Sequence, residues 1–269
     1  MASKLLEVQQ RHDDYINSLL AKFQRELESI VAAAQARTVA ELRERLSVTN
    51  GKIDRSIRNA RVLRQLDQIF LDALDRSGYR HLLTELVNQF PGQLEFFQET
   101  LEILGNATKH GLPKIEFGPR DLQVFADQGV SAKDGLQAVM EAIAARAKNR
   151  ILMSVGGLSF ADLAESLAQY LHRALPEAVG LAETATATYY RIMADRGYQL
   201  IEKDLPSMEI SYQYEGPYDA LTRPFCRHLL QLGKSYTRAQ IDLMNNGQIP
   251  NVFISAGGWR CRHQWVIAL

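Results

Sequence analysis

The sequence predicts a mainly α fold, with long helices and helical layers followed by a small C-terminal α+β module. Three observations predict it. Apolar residues recur at helical spacing through the first three quarters of the chain, no Gly or Pro interrupts residues 4–50, and period-two alternation of β-formers begins only near Met208. The corresponding domain boundaries are an N-terminal helical region over 1–108, a second helical region over 109–204, and a Cys/His module over 205–269.

From Ile16 the apolar positions are Leu20, Phe23, Leu27, Ile30 and Ala34, spaced alternately by four and three. That is an a/d seam, which either packs on other helices of the chain or docks on a partner or a second copy. Asn50-Gly51 is the first turn signal. Val62, Leu66, Ile69 and Ala73, then Leu82, Leu86 and Phe90, then Leu94, Phe97, Leu101 and Leu104 after Pro91-Gly92, continue the helical layer. The Gly- and Pro-richer residues 109–129 read as a boundary or hinge. Two Ser-x-x-Asp capping boxes, Ser131 with Asp134 and Ser159 with Asp162, predict helices over 132–149 and 160–175. The second buries Leu163, Leu167, Tyr170 and Leu171 and ends by Pro176. Val155-Gly156-Gly157 reads as a turn, too poor in glycine pattern for a phosphate loop. A further helix over 183–196 is closed by Gly197.

After Asp204 the texture changes. Residues 208–214 alternate as a strand ended by Gly216-Pro217. Thr237 with Gln240 caps a short helix that stops near Asn245-Asn246-Gly247. Residues 252–255 and 261–267 pair as a hairpin across Gly257-Gly258.

Thirty-one basic and thirty-one acidic residues cancel, so net charge asks for neither nucleic acid nor a membrane surface. The N-terminus has no continuous apolar stretch of signal-peptide type, and no run of about 18 apolar residues occurs. The chain is expected to be soluble and not secreted, and two cysteines do not make a secreted disulfide framework.

Both cysteines lie near the C-terminus, in Cys226-Arg-His228 and Cys261-Arg-His263. On extended backbone a thiol and an imidazole two residues apart share a face, so Cys226, His228, Cys261 and His263 are candidate ligands of a structural zinc. A Cys226–Cys261 disulfide, worth about 4 kcal/mol in loop-entropy models, is a second reading. Two half-buried thiols in a small core are a third. Nucleophilic catalysis by Cys226 with His263 and Asp219 or Asp242 is a fourth, and no helix-start or nucleophile-elbow signature at either cysteine supports it. His12, His81, His110 and His172 stand alone. Arg55, Arg58, Arg61 and Arg64 recur every three residues as a solvated helix face or a phosphate-contacting stripe.

The order Tyr214-Glu-Gly216-Pro217, Asp219, Thr222-Arg223-Pro224-Phe225-Cys226, Gly233-Lys234, Ile241-Asp242, Asn246-Gly247-Gln248 and Gly257-Gly258-Trp259-Arg260-Cys261-Arg262-His263 resembles the C-terminal region of tailed-phage minor head proteins, the Mu F-like minor capsid or head morphogenesis group. A Thr/Ala-rich helix like residues 183–188 precedes these motifs in that pattern. The resemblance covers roughly residues 180–269. It implies a non-enzymatic virion component near the portal vertex, acting in head assembly or genome packaging. It also implies host cytoplasm as the place of assembly, and as partners the portal or major head proteins, copies of itself, or genome DNA. On that reading Ile16, Leu20, Phe23, Leu27 and Ile30 form a partner-docking helix, and Asp219, Thr222 and Arg223 fix the entry turn of a compact Cys/His knob. The open alternatives are a thiol-dependent enzyme or toxin-like protein, and a zinc-stabilised nucleic-acid-binding module.

Overall fold

The computed structural model describes residues 2–107, 112–154, 158–206 and 210–268. The chain is mainly helical with a small C-terminal sheet module. Its elements are α1 (Ala2–Arg45), the hairpin β1 (Val48–Thr49) and β2 (Lys52–Ile53), α2 (Ile57–Arg64), α3 (Leu66–Arg76), α4 (Tyr79–Asn88), a 3-10 turn (Phe90–Gly92), α5 (Gln93–Ala107), α6 (Pro119–Ser154) and α7 (Phe160–Asp204). The module adds β3 (Ser211–Glu215), α8 (Pro224–Leu232), β4 (Ser235–Tyr236), α9 (Arg238–Asp242), α10 (Val252–Ser255) and β5 (Gln264–Ala268).

The compact units are not consecutive segments. One comprises residues 1–18, 88–132 and 180–269, and the other residues 19–87 and 133–179, so their boundaries fall at neither 108 nor 204. The helices α1, α6 and α7 each run across a boundary between units, which is why composition shifts along the chain do not mark these units.

In the second unit the a/d seam packs within the chain. Phe23 is 2% exposed and Leu27 is fully buried, with Val31, Ala34 and Leu42 also inside, while Leu20 and Ile30 are half-buried. The expected docking role is thereby corrected for its central residues: a side chain already removed from water has no apolar surface left for a partner. Ile16, in the first unit, is half-buried. The Asn50-Gly51 turn closes the β1–β2 hairpin with both residues at positive φ, 53° and 74°, as a tight hairpin turn requires. Asn59 on α2 secures it, accepting from the Ser47 amide and donating to the Ser47 and Asp54 carbonyls. Arg55, Arg58, Arg61 and Arg64 are exposed. The Ser159–Asp162 capping box forms as expected: Asp162 accepts from the Ser159 amide at 3.0 Å, and the Ser159 hydroxyl accepts from the Asp162 amide at 3.1 Å.

Several sequence expectations are corrected. The break after α5 is short: among the described residues, 112–118 form the loop, and α6 already starts at Pro119, where Asp121 accepts from the Gly118 amide. Ser131 and Asp134 are therefore exposed residues in the middle of a helix and no start. The helix entered at Phe160 runs through Pro176, Gly180 and Gly197 to Asp204, so the two predicted helices are one. These glycines serve packing. A Cβ on Gly197 would meet the Phe97 ring at 2.4 Å, and one on Gly180 would meet Arg260 at 3.0 Å. Residues 252–255 form a single helical turn, with the Asn251 side chain accepting from the Ile254 amide, and not a strand. Segment 264–268 pairs instead with β3, in a sheet of order β4-β3-β5 that is antiparallel throughout. Its register sets Tyr212 opposite Ile267 and Tyr214 opposite Trp265, all four side chains buried. The start of the expected strand at Met208, the Val155-Gly156-Gly157 turn and His110 lie outside the described residues.

Candidate metal centre

Cys226 sits on α8, which opens at Pro224. Proline is suited to a first helical position, where its missing N–H removes a donor that would have no intrahelical partner. That is a helix-start signature, contrary to the sequence expectation. It also corrects the ligand set: two residues along a helix is a rotation of about 200°, so His228 points away from Cys226 and is exposed. Cys261 follows the turn at residues 256–260 and His263 leads into β5. Their backbone is extended enough to bring thiol and imidazole together, with Cys261 Sγ 3.5 Å from His263 Nδ1.

Cys226, Cys261 and His263 are all buried, and their three ligand atoms lie within 4.8 Å of one another. This group can hold a metal ion. The two sulfurs are 3.7 Å apart and both thiols are free. Metal–sulfur bonds of about 2.3 Å and a metal–nitrogen bond of about 2.0 Å at tetrahedral angles would set sulfur–sulfur and sulfur–nitrogen separations of about 3.8 and 3.5 Å, close to those observed.

The surroundings suit such an ion in three ways. His263 Nε2 donates to the Pro217 carbonyl at 2.8 Å, which leaves Nδ1 facing Cys261 and fixes the ring orientation as an outer carbonyl partner commonly does for a ligating histidine. The Gly257 amide donates to Cys261 Sγ at 3.1 Å. A Cβ on Gly257 would stand 2.2 Å from Cys226 Sγ and 2.9 Å from Cys261 Sγ, so only glycine leaves the space between the sulfurs open. Electrostatics agree. Cys261 is held strongly toward the thiolate by the Cys226 thiol, His263 and the Arg191 guanidinium, whereas its hydrogen bond to Cys261, together with burial, pushes Cys226 up.

Arg191 was not evident as a site residue in the sequence. It is buried and donates to the carbonyls of His263 at 3.0 Å, Ile254 at 3.3 Å and Cys261, stapling α7 to the loop that carries the ligands. Its signal was an arginine within the apolar run Tyr189, Tyr190, Met193 and Ala194. The entry turn is laced by side-chain to backbone hydrogen bonds. The Thr222 hydroxyl accepts from the Asp219 amide at 2.8 Å and donates to the Pro217 carbonyl at 3.0 Å, Asp219 accepts from the Leu221 amide at 2.9 Å, and Arg223 donates to the Gly257 carbonyl at 2.9 Å. The Cys226–His263–Asp219 triad is not assembled. A backbone carbonyl orients His263, Asp219 is paired with Arg262 at 2.7 Å, and Asp242 is paired with Arg238 at 3.3 Å.

Of the isolated histidines, His12 is buried against the Tyr190 ring at 4.3 Å and shares a 3.3 Å hydrogen bond with Gln93, while His81 and His172 are exposed. Among the described residues no helix is long and apolar enough to cross a membrane. Comparison with protein-family models, curated proteins and solved structures gives no match to this chain.

Proposed function

We propose that this chain is a bacteriophage virion structural protein, a minor capsid or head morphogenesis component of the portal vertex that acts in head assembly or genome packaging. The observation that carries the reading is where the motifs of the resemblance lie. The Thr/Ala helix, the Gly-Pro-x-Asp turn, Thr222-Arg223-Pro224-Phe225-Cys226 and the closing Gly-Gly-x-x-Cys-Arg-His all belong to one compact unit and bond to one another. Arg260 forks onto Glu183, its amide donates to the Thr184 hydroxyl at 3.0 Å, Arg223 reaches Gly257, and Arg262 reaches Asp219. Residues that recur together in the resemblance thus build a rigid knob with its sulfurs turned inward, which favours a structural part over a thiol enzyme. Its partners would be portal or major head proteins, further copies of the chain, or the packaged DNA, in the virion and in the host cytoplasm during assembly. Since Phe23 and Leu27 are buried, the docking surface lies outside the centre of the seam.

Quantifying the chain by mass spectrometry in purified, nuclease-treated particles tests this reading. A fixed ratio to portal subunits, at unity or a small integer multiple, is expected. Absence from particles would overturn a virion role.

The ion that suits two thiolates and an imidazole is zinc, in a structural role. Elemental analysis of untagged protein should find one zinc per chain, lost in Cys261→Ser. Metal-free wild-type protein of unchanged stability would refute it.

A further inference from the structure

Three protein ligands leave one vertex of a tetrahedron, and a phenol oxygen lies close to both sulfurs. Tyr214 Oη lies 3.4 Å from Cys226 Sγ and 3.6 Å from Cys261 Sγ. An oxygen ligand at about 2.0 Å and sulfurs at about 2.3 Å on a tetrahedral ion would be separated by about 3.5 Å. We propose that Tyr214 is the fourth ligand of this centre and binds the ion as a phenolate, completing a closed thiolate, thiolate, imidazole, phenolate set.

Position, support and charge all favour this. Tyr214 lies on the inner face of β3, buried, in register opposite Trp265, whose ring is 4.7 Å away, and stacked parallel to the His263 ring at 5.5 Å. Its oxygen is therefore held by packing on two sides. The Cβ position of Gly257, which falls between the sulfurs, is also 3.5 Å from Tyr214 Oη, so the open space is bounded by all three groups. Two thiolates and a phenolate carry three negative charges. A divalent ion and the buried Arg191 guanidinium, which donates to three carbonyls of this unit, carry three positive ones. A neutral assembly is what a buried site requires. On binding, the thiol and phenol protons leave to solvent as metal–sulfur and metal–oxygen bonds form, and no electrons are transferred.

The inference rests on the metal-centre reading, and the test separates the two. The full chain is titrated with zinc and with cobalt(II), following tyrosinate difference absorption, thiolate-to-cobalt charge transfer and the cobalt ligand-field bands, in wild type and Tyr214→Phe. The expected result is a tyrosinate band that saturates at one ion per chain in wild type and is missing in Tyr214→Phe. The variant should also show shifted ligand-field bands and an affinity lower by about 100-fold, at the top of the roughly 10- to 100-fold range that losing an outer-shell partner costs. Cobalt charge transfer without a tyrosinate band in wild type would overturn phenolate ligation and leave the three-ligand centre standing. No charge transfer at all would overturn both. The wild-type tyrosinate reading decides even if Tyr214→Phe fails to fold.

Discussion

The two compact units are built on different principles. In residues 19–87 and 133–179 the interior is apolar, aliphatic side chains around Phe23, Phe70 and Tyr79, and among the described residues only Thr38 and Asn59 are buried side chains of polar type. In residues 1–18, 88–132 and 180–269 the interior carries His12, Gln93, Asp121, Arg191, Asp195 and His263 among others, and among the described residues the aromatic ring pairs all lie there. An apolar core tolerates exchange of one apolar shape for another of similar volume. A polar core does not, because each donor or acceptor left without its partner costs about 1–3 kcal/mol. Specific chemistry therefore belongs to the first unit, and regular pattern to the second.

The sharpest way to break this contrast is to make the first unit apolar at its centre. Arg191→Met keeps the length of the side chain and removes the donors to three carbonyls, two of them on the candidate ligands Cys261 and His263. Three charge-assisted bonds at about 1.5 kcal/mol or more each predict a loss of about 5 kcal/mol. Chemical denaturation with a tyrosine or tryptophan signal from the first unit should show it, together with weaker metal binding. A loss below 1 kcal/mol would mean that the carbonyls find water and that the polar core is not a specifying element.

Phe23→Ala makes the opposite cut. Phe23 is 2% exposed in the unit with the apolar interior, so truncation leaves a cavity, and about 4 kcal/mol is expected. Phe23→Leu should recover most of it, whereas no apolar residue should rescue position 191. Equal rescue at both positions would erase the distinction. The same variant bears on the seam: if Phe23→Leu folds normally and still joins particles at the wild-type ratio, the seam's role is internal.

Legibility in the sequence follows the same division. The seam's periodicity, the Asn50-Gly51 turn and the Ser159 and Thr237 caps were readable because period and turn chemistry act locally. Pro176 and Gly197 misled because helix-breaking propensity is also local, whereas the space that Phe97 needs at Gly197 comes from elsewhere in the fold. Asn246 and Asn251 side chains organise the loop around residues 252–255 into a helical turn, a decision that four apolar residues cannot announce. At the candidate centre the cysteines and His263 were visible as residue types. His228 was misplaced because an extended backbone was assumed where Pro224 starts a helix. Arg191 and the register that opposes Tyr214 to Trp265 are products of tertiary structure.

The smallest of these effects compares one residue type in the two units. His12 is buried in the first and His81 is exposed in the second, beside Glu85. Gln93 Oε1 can only accept, so His12 Nε2 carries the proton and donates to it, and Gln93 in turn donates to the Thr186 carbonyl at 3.5 Å. Burial brings His12 down to about 4 from an ordinary value near 6.5, against the opposing pull of the Gln93 hydrogen bond. The folded chain then binds fewer protons at this site than the unfolded chain between those values, so stability rises with pH across that window. The contribution is complete above about pH 6.5, is lost as pH falls toward 4, and amounts to about 3 kcal/mol from the shift in proton affinity. His12→Phe removes it. That variant leaves Gln93 Oε1 without its donor and is less stable throughout, but its unfolding free energy should change less steeply between pH 4 and 6.5 than the wild type's. If His12→Phe and wild type ran parallel across this window, His12 would be protonated inside the fold, and the polar core would have to supply a negative partner that the Gln93, Tyr190 and Phe96 surroundings do not contain.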